Sequence, residues 1–361
     1  MAGIIDPGYN CPMLADLQLR NFRCFESLRV ELASGFNFFL GRNGEGKTSI
    51  LEAACVLLRL QSQRSSTLAP VVRFGEKSFG VAGRSGNHFL EFRYARLRRK
   101  VTLDHVEQRP LDDYLRLGRV VSFGNTDIDL VRGASEARRR YLDFLAAQID
   151  PLYRPTLRAY ERALRSRNAL LKSPQPRWRE IAAYDPPLLE HGATLGRMRA
   201  QLVERLAPLA AEAHRGISRT GETLRLRFSP GNEEDFPRHL ADSRPEETRL
   251  RQTIVGPHRD DIELLVEARM ANQYASEGQQ RTVALALKIA QSQIFCLEEG
   301  TPPLLLLDDI FGELDPVRRN ALLEQLPGEG QKLVTATTMD WREGNLEGPV
   351  FELRDRRVQA S

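Results

Sequence analysis

Residues 36–60, FNFFLGRNGEGKTSILEAACVLLRL, decide the fold of this chain. The run FNFFL is typical of a buried strand, and SILEAACVLLRL places apolar residues at helical spacing. Between them, GRNGEGKT at 41–48 fits the pattern G-x-x-x-x-G-K-[ST] at every position. A strand, a glycine-rich loop and a helix in this order predict a P-loop, whose backbone N–H groups wrap phosphates. We expect Lys47 to reach the outer phosphates and the Thr48 hydroxyl to bind magnesium.

A second motif, LLLLDD at 304–309, indicates a buried strand that ends in two carboxylates. Asp308 is placed to hold the water shell of a magnesium ion, and Asp309 to orient or deprotonate an attacking water. The sequence GELDP follows, with Glu313 and Asp315 in a loop that the helix-breaking Pro316 helps to fix.

A third stretch, YASEGQQRTVALALK at 274–288, opens with small polar residues and continues as an apolar helix. Ser276 has the character of an N-cap, and the apolar residues after it suit a buried helix. Taken without the P-loop, this stretch is best interpreted as a capped core helix.

Composition sets limits on the class of protein. At 361 residues the chain is long enough for two domains, and no apolar run approaches the roughly 18 to 20 residues of a membrane span. Residues 1–12 lack the basic and apolar regions of a signal peptide. The cysteines are scattered without C-x-x-C spacing, which argues against a disulfide framework or a zinc site and favours a reducing cytoplasm; they are Cys11, Cys24, Cys55 and Cys296.

The predicted secondary structure changes twice along the sequence, from strands to helices and back to strands. Residues 14–108 indicate strands with one helix, and the alternation in HFLEFRYARL at 88–97 and KVTLDHVEQ at 100–108 is that of an antiparallel sheet with one wet face. Residues 134–215 indicate helices broken at prolines. The strand LRLRFS and an acidic, proline-broken linker at 231–248 come next, and apolar segments typical of strands follow the linker. We expect an N-terminal part over 1–125, a mainly helical insertion over 126–250 and a C-terminal part over 251–361.

Charge is distributed unevenly. Residues 132–219 hold 17 Lys and Arg against 9 Asp and Glu, whereas the whole chain has a net charge of +4. A basic segment is what a protein that binds a phosphate backbone shows, although arginine-rich helices are also common solvated faces. Arg138, Arg139 and Arg140 are candidates for DNA contact, but three consecutive residues spread around a helix, so at least one of them is expected to face protein.

The P-loop, the carboxylate pair and the 274–288 stretch together resemble the ABC ATPase superfamily, in which a signature helix sits near S-G-G-Q. Three further segments narrow the resemblance to the RecF family, relatives of the SMC heads: LRNFRCFESL at 19–28, LVRGASEARRRYLD at 130–143 and GPHRDDIEL at 256–264. The resemblance runs from Leu14 to the end. It implies an α/β fold, an ABC-type P-loop ATPase head with mixed sheets that is interrupted by an all-helical insertion domain.

The resemblance also implies a set of site residues, with ATP and Mg²⁺ as cofactors. Lys47, Asp308 and Asp309 are expected to be the catalytic residues, and Thr48 and Asp308 are expected to bind the metal ion. The residues that bind nucleotide are Gly41, Arg42, Asn43, Gly44, Glu45, Gly46, Lys47, Thr48 and Ser49, with the signature residues Ser276, Glu277, Gly278 and Gln279. In ABC-like heads the signature completes the ATP site of a second molecule, so Ser276 and Gly278 are expected to serve the phosphates of a partner copy.

By resemblance the function is that of an ATP-dependent homodimer that binds duplex, gapped or junction DNA and works with RecR and RecO at gapped or stalled replication sites. A slow, DNA-stimulated ATPase without nuclease or helicase activity is expected, in the cytoplasm and at the nucleoid. Alternatives are an ATPase subunit of another ABC-type machine, transporter-like or SMC-like, and a P-loop kinase. The kinase leaves the signature helix unexplained, and 229 residues between Lys47 and Ser276 disfavour a transporter subunit. A full SMC protein would need long heptad arms, which the sequence lacks.

Two departures from the ABC pattern favour slow hydrolysis. No histidine follows the carboxylate pair, so Thr337 or Thr338 is expected to stand where ABC proteins have a switch histidine, and no glutamine lies near 122–130 for a Q-loop. The segment GPHRDD, with His258, Arg259 and Asp260 followed by Asp261, is expected either to contact DNA or brace the signature, or to form a well hydrogen-bonded turn.

Overall fold

The computed structural model describes residues 14–65, 67–341 and 346–360. The expectation for residues 1–12, and with it Cys11, lies outside this part of the chain. The strands are β1 Asp16–Phe22, β2 Phe25–Glu31, β3 Phe36–Leu40, β4 Ser78–Ser85, β5 His88–Ala95, β6 Arg98–Leu103, β7 Val106–Glu107, β8 Val120–Gly124, β9 Leu224–Ser229, β10 Asp261–Val266, β11 Arg269–Met270, β12 Leu304–Asp308, β13 Lys332–Ala336, β14 Val350–Arg354 and β15 Arg357–Ala360.

The helices lie between these strands and in one long central block. They are α1 Lys47–Arg59, α2 Asp112–Arg116, α3 Asp129–Arg132, α4 Ser135–Ile149, α5 Tyr153–Leu171, α6 Trp178–Ala182, α7 Asp185–Ser218, α8 Phe236–Asp242, α9 Arg244–Leu250, α10 Ala271–Tyr274, α11 Glu277–Glu299, α12 Ile310–Glu313 and α13 Pro316–Gln325.

The chain forms two compact units. The first consists of Met1–Thr126 with Gln291–Ser361, and the second of Asp127–Ala290. The expected division into sequence parts at residues 125 and 250 stays a prediction. The chain passes from the first compact unit to the second after Thr126 and returns to the first after Ala290.

The first unit contains a six-stranded sheet in the order β15-β14-β3-β13-β12-β8. Its strands are parallel except for β15, which pairs antiparallel with β14. Strands of a parallel sheet are covered on both faces and therefore read as continuous apolar runs, as FNFFL and LLLL do. Because neighbouring parallel strands end at the same edge, the residues that follow β3, β12 and β13 come together there.

The first unit also contains an antiparallel sheet in the order β2-β1-β4-β5-β6-β7. One face carries buried apolar side chains, including Leu19, Val81 and Phe92, and the alternate residues of the same strands face solvent. The expected antiparallel sheet with one wet face is confirmed. Helix α1 contacts strands of both sheets, and all of its residues except Thr48 are buried.

The second unit is built from the long helices α4, α5 and α7 and from a three-stranded sheet in the order β11-β10-β9. Between residues 126 and 250, all of which are described, every element other than β9 is helical. The expectation of an all-helical insertion is therefore wrong in this one element, because β9 pairs with β10 in the three-stranded sheet. The prediction of a linker at 231–248 is wrong, because helices α8 and α9 form there. Pro237 and Pro245 stand in the first turns of these helices, where a missing N–H costs nothing.

Candidate nucleotide site

The glycine-rich loop between β3 and α1 has the backbone that its sequence requires. Gly44 and Gly46 have φ angles of 89° and 102°, a region that side-chain-bearing residues rarely adopt. A Cβ at Gly46 would lie 2.6 Å from Cys24 Sγ and 2.7 Å from Phe25 Cζ. The segment LRNFRCF therefore packs directly against the loop, and this contact excludes any side chain at Gly46.

Lys47 lies across the loop that precedes it. Its ammonium group donates hydrogen bonds to the carbonyl oxygens of Gly41 and Arg42, at 2.6 and 3.3 Å. Burial lowers the pKa of Lys47, and the nearby carboxylates of Asp309, Asp308 and Glu45 oppose that shift. A buried ammonium at the start of a helix is well placed to bind anionic phosphate oxygens.

Two hydroxyl groups converge on Asp308. Thr48, in the first turn of α1, donates a 2.9 Å hydrogen bond to Oδ1, and Thr335, near the end of β13, donates a 2.7 Å bond to the same oxygen. Strand β13 lies between β3 and β12, and Thr335 is the register partner of Asp308. The order of the strands thus brings together motifs that are separated by 260 residues.

Asp309 has an unusual backbone. Its φ of 51° places it in the left-handed region at the N-cap of α12, a conformation that Asp tolerates better than most residues. Its N–H is fixed by Thr335, which accepts hydrogen bonds through Oγ1 at 2.9 Å and through the carbonyl oxygen at 3.2 Å. Burial raises the pKa of Asp309, Asp308 and Glu313 add to the rise, and Lys47 opposes it.

The segment after Asp309 is held by contacts within the first unit. The guanidinium of Arg319 donates to the carbonyl oxygens of Phe311, Leu314 and Trp341, and the Trp341 ring stacks on Phe311 with centroids 4.6 Å apart. Glu313, expected in a loop, instead ends the single-turn helix α12 and accepts a hydrogen bond from Asn125 at 2.5 Å.

The remaining residues of the predicted P-loop site occupy the same loop. Arg42, Asn43 and Gly44 are exposed, and the Glu45 carboxylate accepts a hydrogen bond from the Arg356 backbone N–H at 3.2 Å. Ser49 is buried in the first turn of α1. The structure therefore places 41–49 beside Asp308 and Asp309.

The predicted signature residues belong to the second unit. Ser276 is confirmed as the N-cap of α11, because its Oγ accepts a 3.3 Å hydrogen bond from the Gln279 N–H while Gln279 Oε1 accepts a 2.8 Å bond from the Ser276 N–H. This reciprocal pair is a capping box. Gln279 also donates a 2.6 Å hydrogen bond to Glu222, and Glu277 pairs with Arg281 at 3.0 Å.

The GPHRDD segment is bonded into the second unit. His258 accepts a 2.7 Å hydrogen bond from the Tyr160 hydroxyl at Nδ1 and donates through Nε2 to the Thr253 carbonyl oxygen at 3.0 Å, so these partners define its neutral tautomer. Burial lowers the pKa of His258 to about 4. Asp260 is fully buried and pairs with Arg199 at 2.8 Å. These contacts favour the hydrogen-bonded turn for this segment.

The three arginines at 138–140 separate as the helix geometry predicts. Arg138 is buried and forms a two-pronged pair with Asp261, at 2.6 and 2.9 Å. Arg139 donates to the Asp260 carbonyl oxygen at 2.8 Å, and Arg140 is exposed. The expectation that at least one of them faces protein is confirmed.

Sequence reasoning missed three contributors. Thr335 was not singled out, because a threonine inside a buried strand carries no motif; Thr337 and Thr338 are exposed, and their expected role stays a prediction. Cys24 stands out in the sequence only as one of the scattered cysteines and as part of the segment LRNFRCFESL, and neither pattern indicates its contact with Gly46. A glutamate beside the signature, Glu222, lies far from it in sequence and gives no local signal.

No helix among the described residues is long and apolar enough to span a membrane.

Comparison with known proteins assigns the family. A family model described as "AAA domain" matches residues 16–100. A "DNA replication and repair protein RecF" of Symbiobacterium thermophilum is 38% identical over 344 residues, which cover 91% of this chain and 92% of that protein. A protein of the same name from Bacillus cereus strain G9842 is 33% identical over 346 residues, with the same coverage.

Solved structures agree with this assignment. "The recombination mediator protein RecF-ATPrS in RecFOR pathway" matches with a TM-score of 0.87 and 28% identity, covering 97% of this chain and 98% of that one. The corresponding RecF-ATP structure has a TM-score of 0.86 at 27% identity, covering 99% of this chain and 100% of that one. An SMC head shares the fold, with a TM-score of 0.55 at 15% identity, covering 97% of each chain. The ABC-type α/β fold expected from the sequence is thus confirmed, and the chain belongs to the RecF family.

Proposed function

We propose that this protein is an ATP-dependent DNA-binding protein of recombinational repair and replication-fork maintenance. One observation carries the proposal: the Thr48 hydroxyl and the Asp308 carboxylate meet at 2.9 Å beside Lys47, so both halves of an ATPase site are assembled in one unit. Membership of the RecF family, and likeness to RecF structures with ATP and an ATP analogue, support the choice of nucleotide.

Mg²⁺ fits the oxygens at this site. Among the residues that the structure describes, no group of three or more His, Cys, Asp and Glu is arranged to hold a metal ion by itself. Mg²⁺ characteristically takes only one or two protein ligands and completes its shell with phosphate oxygens and water. Thr48 and Asp308 would hold it, and when bound it would neutralise charge on the phosphates.

Different groups of the site are proposed to bind the phosphates and to activate water. The P-loop N–H groups and Lys47 would bind the phosphates, and Asp309 would accept a hydrogen bond from the attacking water and take its proton. The raised pKa of Asp309 brings this carboxylate closer to the range in which a general base works near neutral pH. Hydrolysis is proposed to be slow, in keeping with a switch.

ATP is proposed to join two copies of the chain. The signature segment of each copy, residues 276–279, would complete the nucleotide site of the other, so that ATP favours the dimer because it binds the dimer better than the monomer. The ATP-bound dimer would clamp DNA and act with RecO and RecR to promote recombinase loading at gaps.

The test measures mass by sedimentation and DNA affinity by fluorescence anisotropy, with and without ATP, on duplex, single-stranded and gapped DNA over a range of salt concentrations. We expect ATP to convert monomer into dimer and to tighten DNA binding in parallel. A chain that binds DNA as a monomer with equal affinity in the presence and absence of ATP would contradict the proposal.

A further inference from the structure

A row of cations crosses the solvent face of the antiparallel sheet in the first unit. Arg20 on β1 pairs with Gly80 on β4, which pairs with Arg93 on β5, which pairs with Lys100 on β6. Side chains of directly paired residues lie on the same face of a sheet, and these three cations are exposed. The sheet therefore presents them side by side.

Small residues keep this face open. A Cβ at Gly80 would lie 3.9 Å from Arg93 Cγ, so the arginine stem lies over the glycine. In the next row Ala95 pairs with Arg98, which is also exposed. Arg93, Arg98 and Lys100 line an open depression of about 610 Å³.

Cations on this face outnumber the carboxylates beside them. Arg93 pairs with Glu91 at 2.7 Å, and Arg109, at the edge of the depression, pairs with Glu107 at 2.9 Å. Within the described part of the chain, no carboxylate lies within 4.0 Å of the other three cations, which are Arg20, Arg98 and Lys100. This excess of exposed positive charge is what binding to a polyanion requires.

The basic segment of the second unit is a weaker candidate than its composition indicates. Arg138, Arg167 and Arg199 are buried, and each is bonded to carboxylates of the same unit. Part of the excess of arginine at 132–219 therefore holds the unit together rather than facing solvent.

We propose that the basic sheet face, defined as Arg20, Arg93, Arg98 and Lys100, contacts the phosphate backbone of duplex DNA. The proposal rests on the proposed function and names the surface that carries it. From Arg20 to Lys100 the row covers three strand spacings, roughly 14 Å, which corresponds to about four base pairs of duplex rise. Arginine and lysine on a sheet face reach phosphates without reading bases, so the contact is independent of sequence.

A triple variant tests the surface. Arg20→Ala, Arg98→Ala and Lys100→Ala together remove three cations and leave every carboxylate with its partner. In the full-length protein with ATP, we expect the slope of log affinity against log salt to decrease in magnitude by about 2 to 3, because each lost phosphate contact removes roughly 0.9. Nucleotide affinity should be unchanged.

A matched control removes three exposed cations outside the two rows: Arg64→Ala, Lys77→Ala and Arg116→Ala. It should keep the parent slope. If the parent protein binds duplex DNA and the triple variant has the same salt slope, the assignment of DNA contact to the basic sheet face is wrong, while the proposed function stands. A parent that binds no duplex in either nucleotide state would contradict the proposed function and this surface with it. If the triple variant loses binding to polyglutamate but binds duplex DNA as the parent does, the DNA assignment is also wrong, and the partner of this face is an acidic protein.

Discussion

The Thr335 hydroxyl serves both carboxylate residues of the site at once: it donates to Asp308 at 2.7 Å and accepts from the Asp309 N–H at 2.9 Å. One side chain thereby sets the orientation of the residue proposed to hold magnesium and the backbone of the residue proposed to activate water. Thr335 is completely buried, so its hydroxyl has no access to bulk water and both of these bonds are made within the protein.

Thr335→Val should therefore impair hydrolysis more than nucleotide binding. The variant keeps the shape of the side chain and removes its hydroxyl, so Asp308 Oδ1 keeps only the bond from Thr48 and the Asp309 N–H keeps only the 3.2 Å bond to the Thr335 carbonyl oxygen. A hydrogen bond to a charged group contributes about 1.5 to 3 kcal/mol. We expect turnover to fall at least about tenfold, measured by phosphate release at saturating ATP. Thr335→Ser, which retains the hydroxyl, should restore most of the rate; equal rates in Thr335→Val and the parent would exclude a role in positioning.

Lys47→Met should abolish nucleotide binding and dimerisation together. The substitution removes the ammonium that lies across the P-loop and preserves an unbranched apolar stem in its buried position. Nucleotide affinity by calorimetry and mass by sedimentation are the two measurements. A variant that still dimerises with ATP would show that the P-loop assignment is mistaken.

Asp309→Asn should lengthen the lifetime of the ATP-bound dimer. An amide of the same size cannot take a proton from water, whereas the Asp309 backbone bonds to Thr335 stay possible. We expect ATP binding to be retained and hydrolysis to fall by roughly two orders of magnitude or more, as for loss of a general base. Sedimentation after ATP is diluted away gives the lifetime, and a lifetime equal to that of the parent would argue against a hydrolytic role.

Ser276→Arg should leave ATP binding intact and prevent dimerisation. Arginine removes the capping hydroxyl and places a bulky cation where a second copy is proposed to dock, while the P-loop is unchanged. Ser276→Thr, which keeps a capping oxygen, is the control and should dimerise. An ATP-dependent dimer of Ser276→Arg would contradict the proposed sandwich of two copies.

Acid should destabilise the second unit through His258. Its pKa is about 4 in the folded protein against about 6.5 in an unfolded chain. Above pH 6.5 the ring is neutral in both states and contributes nothing; as the pH falls from 6.5 to 4, only the unfolded chain gains the proton. Stability is therefore lost across that window, by up to about 3 kcal/mol.

Denaturant unfolding at a series of pH values tests this expectation. His258→Gln cannot take up the proton and should flatten the pH dependence between 6.5 and 4. His191→Gln is the control, since His191 makes no hydrogen bond to the described residues through its ring. An unchanged pH profile in His258→Gln would mean that His258 does not carry the effect.

Local patterns predicted the P-loop well, since GRNGEGKT and the flanking strand and helix all lie within 25 consecutive residues. The carboxylate pair was equally visible at the end of LLLL. The role of Thr335 could not be predicted from the sequence, because it depends on the position of β13 between β3 and β12. Strand order is set by tertiary packing and leaves no local pattern. The linker was misjudged for a related reason: proline breaks a helix only beyond its first turn, and Pro237 and Pro245 stand inside that turn.

Strand β13 has a consequence for how the protein is made. Translation delivers β3 and the P-loop early, yet both neighbours of β3 in the sheet, β13 and β14, are among the last segments to leave the ribosome. A nascent chain that ends before residue 332 has no strand to join the P-loop to the carboxylate pair. The proposed nucleotide site is thus a property of the finished polypeptide, and a prematurely terminated copy would lack the means to take part in the proposed dimer.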